Sequence, residues 1–527
     1  MKAVANSDFV ALTPMNRARA VLNYPTCATV FVIVISLVVR AALAAVMGFS
    51  IDETYDVVMA RHPALSYHDH PPAIMWLIAA AAKLTGSENH LIVRLPTLIL
   101  SAAQLWLLYR LTAIAFDKWA GVFAVVTLCL APLFGLYVGT IAVTDGPLLF
   151  SLTAAALFVA RAVFGKDEAH VGDWALAGFF FGLALLSKFS AILLLPGLAL
   201  FLLTVPRHRR VFLTPGPYVA AAVALVIFMP VIVWNFENSF GALVFQGSRA
   251  ALGGGVHVGR ALTHTGILIA GIGPLVWVFQ IITLIQALRA GPGDERRWYF
   301  AMLAVVPIVF FFALDLFGTN GDQGPHWLAP AYLFTFPLVG AAVVRWRVRF
   351  PHTVWWTTAL CAIGESAIAL VLVSQTLTGW LGTFVPAITP DYDPLVADDA
   401  DWWSLRAALE QKGLLDSRHF VLVGRYFFCS KAQLVLKDSV PVACLDDSPI
   451  ALSMWRDDAA LRGRDAVIIT TWWRAPQPLA AIETKFERVE ELPPLWIMDH
   501  GRPVMRIELK LGYNLQGPIF ERPGDDR

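Results

Sequence analysis

The chain has 527 residues, of which 57% are hydrophobic and only 15% charged, and its mean hydropathy is +0.63. A soluble protein of that length carries more charge, so the composition is that of a polytopic membrane protein. A net charge of +1 without a long basic run argues against a nucleic-acid or other polyanion partner, and five cysteines without a CxxC pair argue against structural zinc.

A membrane-crossing helix needs roughly 20 mainly apolar residues. Such runs fall at 24–47, 92–114, 119–138, 146–164, 213–234, 262–288, 298–317, 328–344 and 353–375. The stretch 174–204 is also apolar but is broken near Ser187–Ser190 and at Pro196, and it reads as two short helices that enter and return. About 11 hydrophobic segments result. The first run is too long for a cleavable signal and contains Arg40, so it is expected to remain as a signal anchor. Arg40, about seven residues or roughly 10 Å from the end of its span, is expected to snorkel to the interface.

Between the first two spans, "ETYDVVMARHPAL" has the pattern of an amphipathic helix lying on the membrane surface, and "PPAIMWLIAAAAKLTG" that of a second interfacial helix. Lys and Arg are unevenly shared between the loops. One alternate set, including Arg110, Arg161, Arg207, Arg289 and Arg345, holds about 16, and the other about six. The rule that positive loops face the cytoplasm then puts the loop after the first span, "VTDGP" (Val143–Pro147), Phe245–Arg260 and Gly321–Trp327 on the far side. Beyond residue 376 the composition changes. Strand-like "HFVLVGRYFF", "VPVACL" and "DAVIITTWW" alternate with helix-like "WWSLRAALEQKG" and "CSKAQLVLK", so residues 376–527 are expected to form a small α/β domain outside the cytoplasm. Cys429, at the end of one strand-like run, and Cys444, within the next, are either a disulfide of an oxidising compartment or two buried thiols.

The chemistry-bearing residues concentrate on that far side. Asp52 and Glu53 stand where the first helix leaves the membrane, a place where a solvated helix end is the plain alternative. Asp145 opens a later helix and is equally suited to N-capping. Lys188 sits at the tip of the broken apolar hairpin, where an ionisable group marks a function unless it snorkels. Two polar loops, Phe245–Arg260 and Gly318–Leu333, add Arg249 and His326.

"DE" after the first span, "DHPP" (Asp69–Pro72), "TDGPLLF", "GLALLSKFS", "FQGSR" and "HWLAPAYL" follow one another in this order. Together they resemble the GT-C glycosyltransferases that use polyprenyl-phosphate sugars. These include protein O-mannosyltransferases and the bacterial enzymes that add aminoarabinose or galacturonate to lipid A and core. The resemblance covers roughly residues 24–345. It implies a GT-C transmembrane catalytic domain over 1–375, with about 11 spans and interfacial helices in the first loop, followed by the α/β domain. It also implies a bacterial inner membrane with the site on the periplasmic face. By resemblance Asp52 matches the acid that serves as base or orients the acceptor, with Glu53 beside it, Asp145 supporting the site and Lys188 matching a motif lysine. "DHPP" stands where aminoarabinose transferases have "EKPP"; Asp69 and His70 replace Glu and Lys, which puts in doubt the lysine's phosphate contact and any metal held through the glutamate.

Transfer from a lipid phosphate needs a carboxylate to take the acceptor proton and cations for the departing phosphate. Asp52 is the expected base, Arg61, His70, Lys188, Arg249 and His326 the candidate donor-phosphate contacts, and Asp69 and Tyr55 the candidate acceptor-side residues. No cofactor and no nucleotide are called for; a divalent metal is the open alternative. The expected partners are a polyprenyl-phosphate sugar, an acceptor (lipid A, core saccharide, another glycolipid or a protein) and the bilayer. The competing class is a polyprenyl-lipid or glycolipid transporter or flippase. It fits less well, because the polar residues gather on one face and no inverted repeat is seen.

Overall fold

The computed structural model describes residues 24–165, 170–253, 255–319, 324–424, 426–444, 452, 458–471 and 482–519. Helix boundaries follow local chemistry. Pro25 opens the first span in the first helical turn, the Asn89 side chain accepts from the Ile92 amide at the start of His90–Ala115, and Asp117 caps Lys118–Cys129. Among the described residues seven helices are long and apolar enough to cross a membrane, and nine if each of two bent pairs counts as one span. The 11 apolar segments read from the sequence thus include pieces shorter than a span. The run 119–138 divides into Lys118–Cys129 and a π-helical turn, Leu133–Val138; the run 262–288 breaks at Gly273 (φ +89°) before Pro274 into Val258–Ile272 and Pro274–Ala290. The stretch 174–204 breaks as expected, with Lys188 extended between Val171–Ser187 and a 3-10 turn.

The helix Asp145–Phe164 lies at the centre of the bundle, packed against His90–Ala115 and Val171–Ser187. Its approach to the former is close: a Cβ on Gly146 would stand 2.9 Å from the Thr97 side chain. Arg40 corrects the snorkelling expectation. It is 1% exposed, and its guanidinium donates inward to the carbonyls of Phe134 and Gly135 on the π-helical turn. Such a turn leaves carbonyls unpaired within the helix, and Arg40 satisfies two of them.

The two helices expected in the first loop are present as Ile51–Ala60 and Ala73–Thr85, but the first is buried from Glu53 to Ala60 and is not an amphipathic helix with an open face. The last long helix runs to Thr378, three residues beyond the expected boundary at 375. Past it lies a five-stranded sheet in the order β2-β1-β3-β5-β4, built from β1 (His419–Val423), β2 (Val442–Cys444), β3 (Asp465–Thr470), β4 (Phe486–Asp499) and β5 (Arg502–Leu515). β1 pairs in parallel with β2 and β3, while β5 runs antiparallel to β3 and β4. Sequence patterning missed the β4–β5 hairpin, whose Pro493–Pro494 pair falls in an irregularity of the ladder. His500 and Gly501 supply the two positive φ values of its tight turn. The "HFVLVGRYFF" strand ends at Val423, and a helix begins at Tyr426, which places Cys429 on a helix and not at a strand end. Cys429 and Cys444 form a disulfide with Cα atoms 5.8 Å apart.

Candidate active site

The helix Ile51–Ala60 starts in a full capping box. The Ser50 hydroxyl accepts from the Glu53 amide, and the Glu53 carboxylate accepts from the Ser50 amide. This arrangement separates the adjacent acids. Glu53 is fully buried and takes a two-pronged contact from Arg94, 2.7 Å to each oxygen, together with the Ala142 amide at 2.7 Å. Burial pushes its carboxyl up, but the Arg94 charge and hydrogen bonds and the two amides outweigh this and hold it below the ordinary carboxylate range. Glu53, expected among the catalytic acids, is thereby tied to Arg94 and two backbone amides. Arg94 also donates to the carbonyls of Ala44, Met47 and Gly48, so one buried guanidinium ties the end of the first span to the helix Ile51–Ala60.

Asp52 faces the other way. It is half-buried, and among the described residues it accepts no hydrogen bond and joins no ion pair. Burial pushes its carboxyl up to about 6; Lys188 opposes the rise, and Asp145, Glu53 and Asp398 add to it. It is therefore not the wet helix end of the plain reading. One turn on, Asp56 is 3% exposed and is raised well above its usual value by burial and by Asp52 and Asp69. The sequence reading gave Asp56 no role, although its i,i+4 spacing from Asp52 places both on one helical face.

Around these acids the structure gathers residues from distant parts of the chain. Lys188 Nζ lies 3.0 and 2.9 Å from the two oxygens of Asp145, and His326 Nε2 lies 3.9 Å from Asp145 Oδ2. Asp145 is 1% exposed and makes no capping bond; its helix is preceded by Thr144, also without a side-chain cap. The Lys188 side chain, 11% exposed, points into the protein and not to an interface. The Tyr55 hydroxyl donates to Asp69 at 2.6 Å, and Gln246 donates to the Asp69 carbonyl at 2.6 Å. His70 Nε2 lies 3.7 Å from Asp69 Oδ2. Burial lowers the His70 pKa; Asp69 opposes this, and Lys188 and Arg249 reinforce it. This shift favours the neutral form of His70, which can still donate or accept a hydrogen bond. The Arg249 guanidinium lies 4.5 Å from the centre of the Trp327 ring, with Lys188 6.0 Å from the same ring.

Arg61 is placed elsewhere. It grips Glu88 at 3.0 and 2.7 Å and donates to the carbonyls of Gln433 and Leu434 in the C-terminal domain, so its donors are committed to a domain junction. Of the polar stretch Gly318–Leu333, residues 320–323 lie outside the described residues. Trp327, Gln246 and Tyr137, whose ring centre is 6.1 Å from that of His326, complete the surroundings without having been singled out beforehand. No group of three or more His, Cys, Asp or Glu among the described residues is arranged to hold a metal.

The helical membrane bundle, the two helices in its first loop with acids at the start of the first, and the small α/β domain after the last span have counterparts among known proteins. A family model described as dolichyl-phosphate-mannose-protein mannosyltransferase matches residues 69–234. The chain is 27% identical over 291 residues to a lipid A galacturonosyltransferase of Rhizobium johnstonii, covering 54% of this chain and 58% of that protein. It is 26% identical over 318 residues to a lipopolysaccharide core galacturonosyltransferase of the same organism, covering 58% and 61%. The chain thus spans about three-fifths of the length of the curated relatives it matches. In fold it is similar to ArnT of Cupriavidus metallidurans, solved with undecaprenyl phosphate bound, with a TM-score of 0.63 at 16% identity over 91% of this chain and 97% of that one.

Proposed function

We propose that the protein is an integral-membrane glycosyltransferase that moves a sugar from a polyprenyl-phosphate carrier to a hydroxyl or phosphate of an extracytoplasmic acceptor, with Asp52 as the base. The observation that carries this reading is the pairing of opposites in one place: an unpartnered carboxylate, Asp52, within the field of the Lys188–Asp145 pair. A carboxylate whose pKa lies near 6 is ionised at pH 7 yet basic enough to accept a proton from an attacking hydroxyl. As the acceptor oxygen forms its bond to the anomeric carbon, the bond to the phosphate oxygen breaks and negative charge collects on the lipid phosphate. Lys188 and Arg249 are the cations that meet it, and His70 and His326 are placed to donate hydrogen bonds. Asp145 holds Lys188 in position; Asp69, fixed by Tyr55, lines the acceptor side. The scheme uses no cofactor.

The relatives' names favour a lipid A or core acceptor, and undecaprenyl phosphate in the similar structure favours a polyprenyl carrier. The charge asymmetry of the loops and the Cys429–Cys444 disulfide favour a periplasmic site in a bacterial inner membrane. A transporter would need its polar groups along a path through the bilayer, whereas these gather at helix ends beside the helices of the first loop. Mass spectrometry of envelope lipids from cells with and without the protein tests the proposal. Loss of one sugar from a lipid A or core species is expected; unchanged envelope glycans would remove the enzyme reading.

A further inference from the structure

The helix that carries Asp52 belongs to the membrane domain by sequence, yet it is held by the C-terminal domain. At its N-terminal end, Lys431 of the helix Tyr426–Leu436 is 1% exposed and donates to the carbonyls of Phe49 and Ala400. The Phe49 amide in turn donates to Asp401 at 3.3 Å, and Asp401 is fixed from its other oxygen by His90 at 2.8 Å. Backbone contact here is tight: a Cβ on Gly48 would stand 2.1 Å from the Asp399 carbonyl oxygen. At the far end, Arg61 donates to the carbonyls of Gln433 and Leu434, one turn along the same C-terminal helix. Between the two ends, Val57, Val58 and Met59 share one hydrophobic core with Phe428, Ala432 and Val435.

A buried lysine is costly to desolvate and is rarely retained without a partner. Lys431 spends its donors on a backbone carbonyl of the very turn that precedes Asp52. We propose that the C-terminal domain is a working part of the active site, its helix Tyr426–Leu436 fixing the Asp52 helix at both ends with Lys431 as the positioning residue. The consequence for catalysis rests on the reading of Asp52 as the base. Displacing a reacting group by about 1 Å can cost on the order of 10²-fold in rate, so a clamp on the turn at residues 48–50 acts directly on transfer. Released from the clamp, the helix would also let water reach Asp52, and its carboxyl would return toward the ordinary value of about 3.9.

The test uses full-length protein in membranes as wild type, Lys431→Met and Arg61→Gln. Dicyclohexylcarbodiimide, which modifies protonated carboxyls, is applied from about pH 4 to about pH 8, and Asp52 labelling is read by peptide mass spectrometry. Envelope-lipid glycosylation per molecule of folded protein is measured in parallel, beside Asp52→Asn. The labelling midpoint of the wild type is expected near 6. In Lys431→Met it should fall by at least about one unit, with transfer reduced by one to two orders of magnitude. Arg61→Gln, half-exposed at the other end, should move both readouts in the same direction by less, and it decides the matter if Lys431→Met does not accumulate. A midpoint that stays in place, or transfer that stays at the wild-type level in a background where Asp52→Asn abolishes it, would overturn the positioning role. Transfer that survives Asp52→Asn would instead sink the base assignment, and the labelling arm would still decide whether the C-terminal domain sets the environment of Asp52.

Discussion

Lys188 and Asp145, 43 residues apart in sequence, meet in a two-pronged contact of 3.0 and 2.9 Å, with the carboxylate almost wholly buried. The lysine reaches this position because the helix Val171–Ser187 stops one residue before it and the backbone turns extended. A charge at a helix break inside an apolar segment would otherwise have to reach for water. Here it has a buried partner and lies beside the residues that face the proposed donor phosphate.

Breaking that pair from one side leaves the other charge buried and alone, at a cost of about 3–5 kcal/mol. Lys188→Ala should therefore lower both thermal stability and undecaprenyl-phosphate binding. The double variant Lys188→Met with Asp145→Asn should regain most of the stability and none of the binding. Melting temperature and lipid-binding titrations on the purified variants separate the two effects. A double variant that binds as well as the wild type would take Lys188 out of the donor site.

Glu53→Gln should behave unlike Asp52→Asn. Glu53 is clamped by Arg94 and two backbone amides, so neutralising it strands a buried guanidinium, again at about 3–5 kcal/mol. The expected result is scarce, low-melting protein. Asp52 has no such partner. Its carboxyl titrates higher folded than unfolded, so its ionisation costs the folded state stability as pH rises from about 4 through about 6. Asp52→Asn should consequently melt at or slightly above the wild-type temperature at pH 8. Equal melting losses in the two variants would contradict this division of roles.

Much of this was legible in the sequence, and what escaped has physical causes. The helices of the first loop, the break at Lys188 and the α/β character of the end of the chain follow from hydropathy and turn residues, which are local. The different fates of Asp52 and Glu53 are not local, because they depend on Arg94 arriving from the next span. Arg61 and His70 look like phosphate contacts in a linear reading. Glu88 and two carbonyls occupy the first, and burial shifts the second toward its neutral form, which keeps a hydrogen bond to offer. Apolar length alone does not reveal a break such as that at Gly273. Lys431 gave no signal beyond being one of two lysines in a helical run.

The pH dependence of transfer carries a sign. The base must be ionised to accept a proton, so activity should rise with pH through about 6 and level off above it. An acid limb centred near 4 would mean that the carboxyl in use is as exposed as an ordinary aspartate, and would point away from Asp52. Initial rates in membranes buffered across this range give the midpoint.

The disulfide predicts its own compartment. Cys429 and Cys444 should be resistant to thiol alkylation in intact cells until a reductant is added, as expected outside the cytoplasm. The double Ser variant, opening a bridge across a separation of 15 residues, should lose about 3 kcal/mol of stability in the C-terminal domain. Free thiols in untreated cells would contradict the proposed orientation.

The most direct measurement of the central claim is sugar transfer by Asp52→Asn, at matched protein level, read by mass spectrometry of lipid A and core from cells whose own copy is deleted. The substitution preserves shape and removes the proton acceptor. General-base catalysis contributes roughly 10²–10⁴-fold, so the account predicts that transfer falls at least about 10²-fold while protein abundance and melting are retained. Transfer within a few fold of the wild type would contradict it, and Asp52 would no longer be the base.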